Sequence, residues 1–195
     1  MVKIKKLGKK ILMLVIMAAF LNLPLNVSSE KISEEIINKA SSALVNLKLM
    51  IGDEKGNLKL NDNLTRCEFV TLVNRMMAYN TDNHYNDEYI PFTDVKEKHW
   101  AYSNIVTAVS YGLINGYTDN TFRPDNNVTF VEAQAVLLRA LGYQNQITKS
   151  WPDGVIEKST EINLNKNLDL DRNKQITRGE ASVLIYNALT IDFFK

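Results

Sequence analysis

Apolar residues fall at helical spacing in three related places along the chain. Each place opens on a short polar motif: Leu64-Thr65-Arg66-Cys67-Glu68-Phe69, Val128-Thr129-Phe130-Val131-Glu132-Ala133, and Ile176-Thr177-Arg178-Gly179-Glu180-Ala181. Counted from the shared Glu, the third and fourth positions are Thr71/Leu72, Ala135/Val136 and Val183/Leu184. The eighth and ninth are Met76/Met77, Ala140/Leu141 and Ala188/Leu189. This stripe predicts the same amphipathic helix three times. The seventh position, Arg75, Arg139 or Asn187, is expected on the polar face.

A second apolar pattern precedes each motif and predicts partner helices over 36–49, 100–113 and about 155–164. In the first two units the connecting loops keep register. Gly52 and Gly116 each stand 13 residues before the motif Thr, and Leu58 and Phe122 share one loop offset. The two glycines are expected to end the first helices in a left-handed conformation, and the two apolar loop residues to plug the core. The polar stretches 79–89 and 144–149 read as linkers. One helix pair cannot bury both of its apolar faces, so the three units are expected to pack into one all-α core of helix-loop-helix repeats.

The N-terminus changes the compartment. Lys3, Lys5, Lys6, Lys9 and Lys10 precede an apolar run over 11–25, followed by Val27, Ser28 and Ser29. The run is too short for the roughly 20 residues of a spanning helix, so 1–29 reads as a secretory signal peptide, with no membrane attachment after its removal. Cleavage would remove five of the 23 Lys and Arg and none of the 22 Asp and Glu. A mature chain of mildly acidic balance argues against nucleic acid as a partner. Any polyanion it binds must be met by a few placed cations. The single Cys67 excludes an internal disulfide and a Cys-based zinc site, and is read as a small core residue.

The run Phe92-Thr93-Asp94-Val95, His99-Trp100-Ala101, Gly112-Leu113-Ile114-Asn115-Gly116-Tyr117, Asp119, Thr121-Phe122-Arg123-Pro124 and Val128-Thr129 resembles an S-layer homology motif. Residues 30–80 resemble the same motif without its Phe-x-Asp opening. Residues 150–193, with Trp151-Pro152-Asp153-Gly154 and Ile185-Tyr186-Asn187-Ala188-Leu189, resemble a divergent last copy; the middle copy spans 91–143. The resemblance implies a pseudo-threefold helical bundle. It also implies non-covalent attachment to the wall of a Gram-positive-type bacterium, through a secondary cell wall polysaccharide, often pyruvylated, bound in grooves between repeats. The ligand-binding arginine of the family's Thr-Arg-Ala-Glu motif maps onto Arg66 and Arg178; Phe130 replaces it in the second copy.

Thr65/Glu68, Thr129/Glu132 and Thr177/Glu180 each fit a capping box, in which hydroxyl and carboxylate satisfy backbone N–H groups. A cation in the first turn opposes the helix dipole. Its presence at Arg66 and Arg178 is therefore expected to reflect a carboxylate bound beside free N–H groups of the helix N-terminus. On this reading, replacing both arginines by Ala abolishes wall binding with stability nearly unchanged. Trp100 could stack on a sugar face or join the core, and Gly52 and Gly116 could permit close approach of the polymer. Arg123 reads as a solvated loop residue, and His84 and His99 as incidental.

Asp169, Asp171, Asn173, Gln175, Thr177 and Glu180 occupy alternating positions of a calcium-loop template, with Lys174 where the template wants Gly. This raises an alternative, a calcium-dependent structural or protein-interaction module. The other repeats do not repeat the acid set, so no metal or cofactor is expected. The sequence ends just past the third unit, and no catalytic constellation is assembled, so no enzyme is expected.

Overall fold

A computed structural model describes residues 32–81 and 90–194. The signal peptide 1–29 and His84 lie outside the described residues, as does most of the first linker. Residues from Ile32 onward form one compact unit. Among the described residues it is all-α: α1 (Glu34–Asn46), α2 (Arg66–Met76), α3 (Tyr102–Ser110), α4 (Phe130–Ala140), α5 (Asp153–Glu161) and α6 (Arg178–Ala188), with a short 3-10 turn at Tyr143–Gln146 inside the expected second linker.

The even-numbered helices α2, α4 and α6 meet at the centre, each touching the other two. Each odd-numbered helix packs on the central helix of the preceding repeat: α3 on α2, α5 on α4, and α1 on α6, which closes the ring. The expected pseudo-threefold bundle is formed, and helices of one repeat serve as the core of the next. Phe69, Leu137, Leu138, Val183 and Leu184 are almost wholly buried in it.

A cyclic hydrogen-bond junction sits at the heart of the ring. The Leu64 N–H donates to the Ile176 carbonyl at 3.0 Å, Ile176 N–H to Val128 at 3.1 Å, and Val128 N–H to Leu64 at 2.9 Å. These are the apolar residues just before each motif Thr, and all three are buried. Extended backbone among the described residues is confined to the bridges pairing Asn63 with Thr177, Thr65 with Asn127, and Thr129 with Gln175.

The first helices end about three residues earlier than their apolar pattern predicts. Each closes in a Schellman motif whose left-handed residue is Lys48, Gly112 or Asn163 (φ 58°, 65° and 60°). The following Leu49, Leu113 and Leu164 N–H groups reach back to Leu44, Ala108 and Ser159. Gly52 and Gly116 are therefore not the left-handed caps. They are small for another reason: a Cβ on Gly116 would lie 2.4 Å from the Phe92 ring, and one on Gly52 2.6 Å from the Gly56 backbone.

The seventh position of the stripe is also placed differently from expectation. Arg75, Arg139 and Asn187 donate to the Leu49, Leu113 and Leu164 carbonyls, so each fastens the end of the first helix in its own repeat. Amphipathic spacing could not distinguish a solvated polar residue from one that caps a neighbour.

Candidate functional site: a cleft between the first two repeats

All three central helices open on complete capping boxes. Thr65, Thr129 and Thr177 accept from the N–H of Glu68, Glu132 and Glu180, and each Glu carboxylate accepts the N–H of its Thr. The next two N–H groups are engaged as well, each by the loop of the following repeat. Arg66 and Cys67 donate to the Asn126 and Pro124 carbonyls, Phe130 and Val131 to Lys174 and Arg172, and Arg178 and Gly179 to Asp62 and Leu60. The helix N-termini therefore offer no free N–H groups to an anion, contrary to the sequence-based expectation. Threefold closure is what satisfies these orphan donors.

The motif arginines follow the same cyclic logic. Arg66 is 8 % exposed. Its Nε donates to the Phe122 carbonyl at 2.8 Å, and its Nη1 lies 3.0 Å from Glu132 Oε1 in the next repeat. The guanidinium lies 4.9 Å from the Tyr117 ring centre and 4.7 Å from that of Phe122. Arg178 repeats the arrangement one step round: Nε to the Leu58 carbonyl at 2.9 Å, Nη2 to Ile51 at 3.3 Å, and Nη1 3.8 Å from Glu68. At the remaining junction Phe130 is buried and cannot pair with Glu180. There Lys174, from the loop of the third repeat, pairs with Glu180 instead.

This pairing also bears on the calcium alternative. Glu180 would have to chelate through both oxygens as the last loop position, yet Oε2 accepts the Thr177 N–H and Oε1 faces the Lys174 ammonium. Another cluster was not visible in the sequence: Cys67, His99 and Asp125 offer ligand atoms within 4.8 Å of one another. The His99 Nδ1 accepts the Ala101 N–H, which leaves the proton on Nε2, 3.2 Å from Asp125. The ring thus presents no free lone pair to a metal, and Cys67 is buried.

Between the first and second repeats opens a cleft of about 480 Å³, with Arg66, Gly116, Tyr117, Glu132, Arg139 and Trp151 among its lining residues. Tyr117 donates its hydroxyl to Glu132 Oε1 at 2.6 Å. Burial pushes the Glu132 carboxyl up, but the Tyr117 hydroxyl, the Thr129 N–H and the Arg66 charge outweigh it and hold the group below the ordinary glutamate value. Tyr117 moves the other way, raised by burial and by its bond to Glu132. Arg123 is exposed but fixed rather than loosely solvated: its guanidinium lies 4.0 Å over the Tyr117 ring and 2.9 Å from Asp119.

Of the residues singled out from sequence, Arg66 and Gly116 share this cleft, whereas Arg178, Gly52 and Trp100 lie outside it. The repeat operation that carries Arg66 to Arg178 and Gly116 to Gly52 also carries Trp151 to Trp100, since each Trp stands two residues before its helix. Trp100 is 61 % exposed and precedes α3, so it is not a core residue. Tyr117, Arg139 and Trp151 were not singled out as site residues. The matching offset of the two tryptophans is the signal that could have identified Trp151.

Comparison with known proteins fits this geometry. Residues 91–133 match the S-layer homology domain. The chain is 30% identical over 159 residues to the middle cell wall protein of Brevibacillus brevis, covering 82% of this chain and 15% of that protein. It is 32% identical over 146 residues to a cell surface protein of Thermoanaerobacter kivui, covering 74% and 18%. It is also 30% identical over 86 residues to a cellulosome-anchoring protein of Acetivibrio thermocellus, covering 44% and 19%. The chain therefore spans less than a fifth of the length of these relatives.

Proposed function

From the S-layer homology domain that this chain carries at residues 91–133, we propose that it attaches non-covalently to the bacterial cell wall by binding an anionic secondary wall polysaccharide in the clefts between repeats, and that it catalyses no reaction. The observation that carries this reading is the cleft of the first two repeats. It brings two arginines, 66 and 139, against one carboxylate, Glu132, beside the aromatic rings of Tyr117 and Trp151. Buried cations in a cleft focus positive potential, and aromatic faces suit the C–H surface of a sugar. A carboxylated polysaccharide such as a pyruvylated one presents both features.

The equivalent junction of the third and first repeats holds Arg178, with Gly52 and Trp100 at the corresponding positions, and is proposed as a second contact. The relatives' names, cell wall, cell surface and cellulosome-anchoring proteins, support placement at the cell surface. The reading is tested by sedimenting purified protein with intact Gram-positive walls and with walls stripped of their secondary polysaccharide. Binding to the first and loss of it on the second is the expected result; equal retention on both overturns the reading.

A further inference from the structure

Within the first cleft the ion pair between Arg66 and Glu132 uses the one lining carboxylate and leaves a second cation unmatched. Arg139 donates from Nη1 to the Leu113 carbonyl at 3.1 Å. Among the described residues no acidic side chain pairs with it, although Arg66, Arg123, Arg172 and Arg178 all have such partners. It lies partly buried at the end of α4, and burial together with the charge of Arg66 disfavours its protonated form. A guanidinium in such surroundings is incompletely satisfied, because an isolated buried charge costs free energy until an anion pairs with it.

Trp151 supplies the second half of the feature. It precedes α5, lines the same cleft, and leaves 56 % of its surface open. An exposed indole at the mouth of a cationic cleft provides an apolar face with a polar edge. Gly116 keeps the backbone opposite bare, so the space above Tyr117 is not filled by a side chain.

The geometry points to Arg139 and Trp151 as the two contacts of one subsite for a pyranose ring bearing a carboxylate: Arg139 takes the carboxylate and Trp151 lies against the C–H face of the ring. This rests on the wall-polysaccharide reading but assigns the ligand's charge to a residue outside the Thr-Arg-Ala-Glu motif. Arg66, held by Glu132 and the Phe122 carbonyl, then acts as the strut that keeps the cleft open between repeats. At the junction of the third and first repeats, Asp53 stands where Tyr117 stands here and Arg75 where Arg139 does. An added acid there makes that cleft the weaker anion site.

The probe is sodium glucuronate, followed by proton-nitrogen NMR at the Trp151 indole N–H and the Arg139 Nε–H, with methyl glucoside as the uncharged control. Glucuronate is expected to shift both signals saturably and methyl glucoside to shift neither. Arg139→Gln, which keeps a donor for Leu113, and Trp151→Ala, at an exposed position, are each expected to weaken the glucuronate response at least tenfold with the remaining spectrum unchanged. No response of the wild type to glucuronate, or an undiminished response in Trp151→Ala, overturns the subsite. Glucuronate binding without sedimentation on walls would instead refute the wall reading and leave the subsite standing. Wall sedimentation equal to wild type in both variants would refute the subsite alone.

Discussion

Arg66 Nη1 and Glu132 Oε1 lie 3.0 Å apart, one in the first turn of the first central helix and the other in the first turn of the second. The pair thus joins two repeats at the same carboxylate that caps its own helix. Removing Arg66 leaves a largely buried Glu132 without its cation and frees the Phe122 carbonyl. Since neither group is wholly buried, the expected cost of Arg66→Ala lies at the low end for a broken buried pair, about 3 kcal/mol. Arg178→Ala should cost about 1 kcal/mol, because its contact with Glu68 is 3.8 Å and more open. Urea unfolding checks the order, and equal losses would contradict it. The sequence-based expectation that both arginines are dispensable for stability is replaced by this one.

Glu132 also sets a pH dependence. Its folded carboxyl titrates below the ordinary value of 4.5. Between the two values the unfolded chain binds the proton and the folded chain does not. The contribution is therefore fully present above pH 4.5 and is lost as pH falls through the folded value. Unfolding midpoints measured from pH 6 down to about 3 should decline in that window, and more shallowly in Glu132→Gln. A decline no shallower than wild type in the variant would rule out Glu132 as its source.

The Schellman closures give a prediction of opposite sign. Lys48 and Asn163 hold the left-handed positions where the second repeat has Gly112. Lys48→Gly relieves a strained backbone and should stabilise the protein by about 0.5–1 kcal/mol, whereas Gly112→Ala should destabilise it by about 1 kcal/mol even though a Cβ there meets no neighbour. Gly116→Ala should cost more than either, through contact with the Phe92 ring rather than through backbone strain. Thermal melts of the three variants separate these causes.

Loss of one capping threonine, Thr129→Ala, should cost about 1 kcal/mol. Thr65→Ala and Thr177→Ala should cost similar amounts if the three junctions carry equivalent load. Chemical denaturation of each single variant checks this, and a large disparity would show that the ring of Leu64, Val128 and Ile176 is not evenly supported.

The repeats, the central stripe and the capping boxes were legible because each depends on residues close in the chain: a Thr, a Glu three positions on, and apolar residues at 3.6-residue spacing. The clefts were legible only in part. Arg66 and Gly116 lie in one of them, but the fate of the helix N–H groups depends on Asn126 and Pro124, some sixty residues away, and periodicity cannot bring those carbonyls to Arg66. The left-handed caps were assigned to Gly52 and Gly116 because glycine suggests such a backbone. In the fold these glycines answer to steric contact with Phe92 and Gly56, and a lysine and an asparagine hold two of the left-handed positions. Lys174 standing in for the missing arginine at Phe130 is a compensation between repeats that only three-dimensional closure reveals.

The most direct test of the central claim is a calorimetric titration of the protein with solubilised secondary wall polysaccharide before and after chemical removal of its acidic substituents. Saturable binding to the intact polymer, weakened at least tenfold after that removal and progressively by added salt, is the predicted result. Equal affinity for the charged and the neutralised polymer would contradict it.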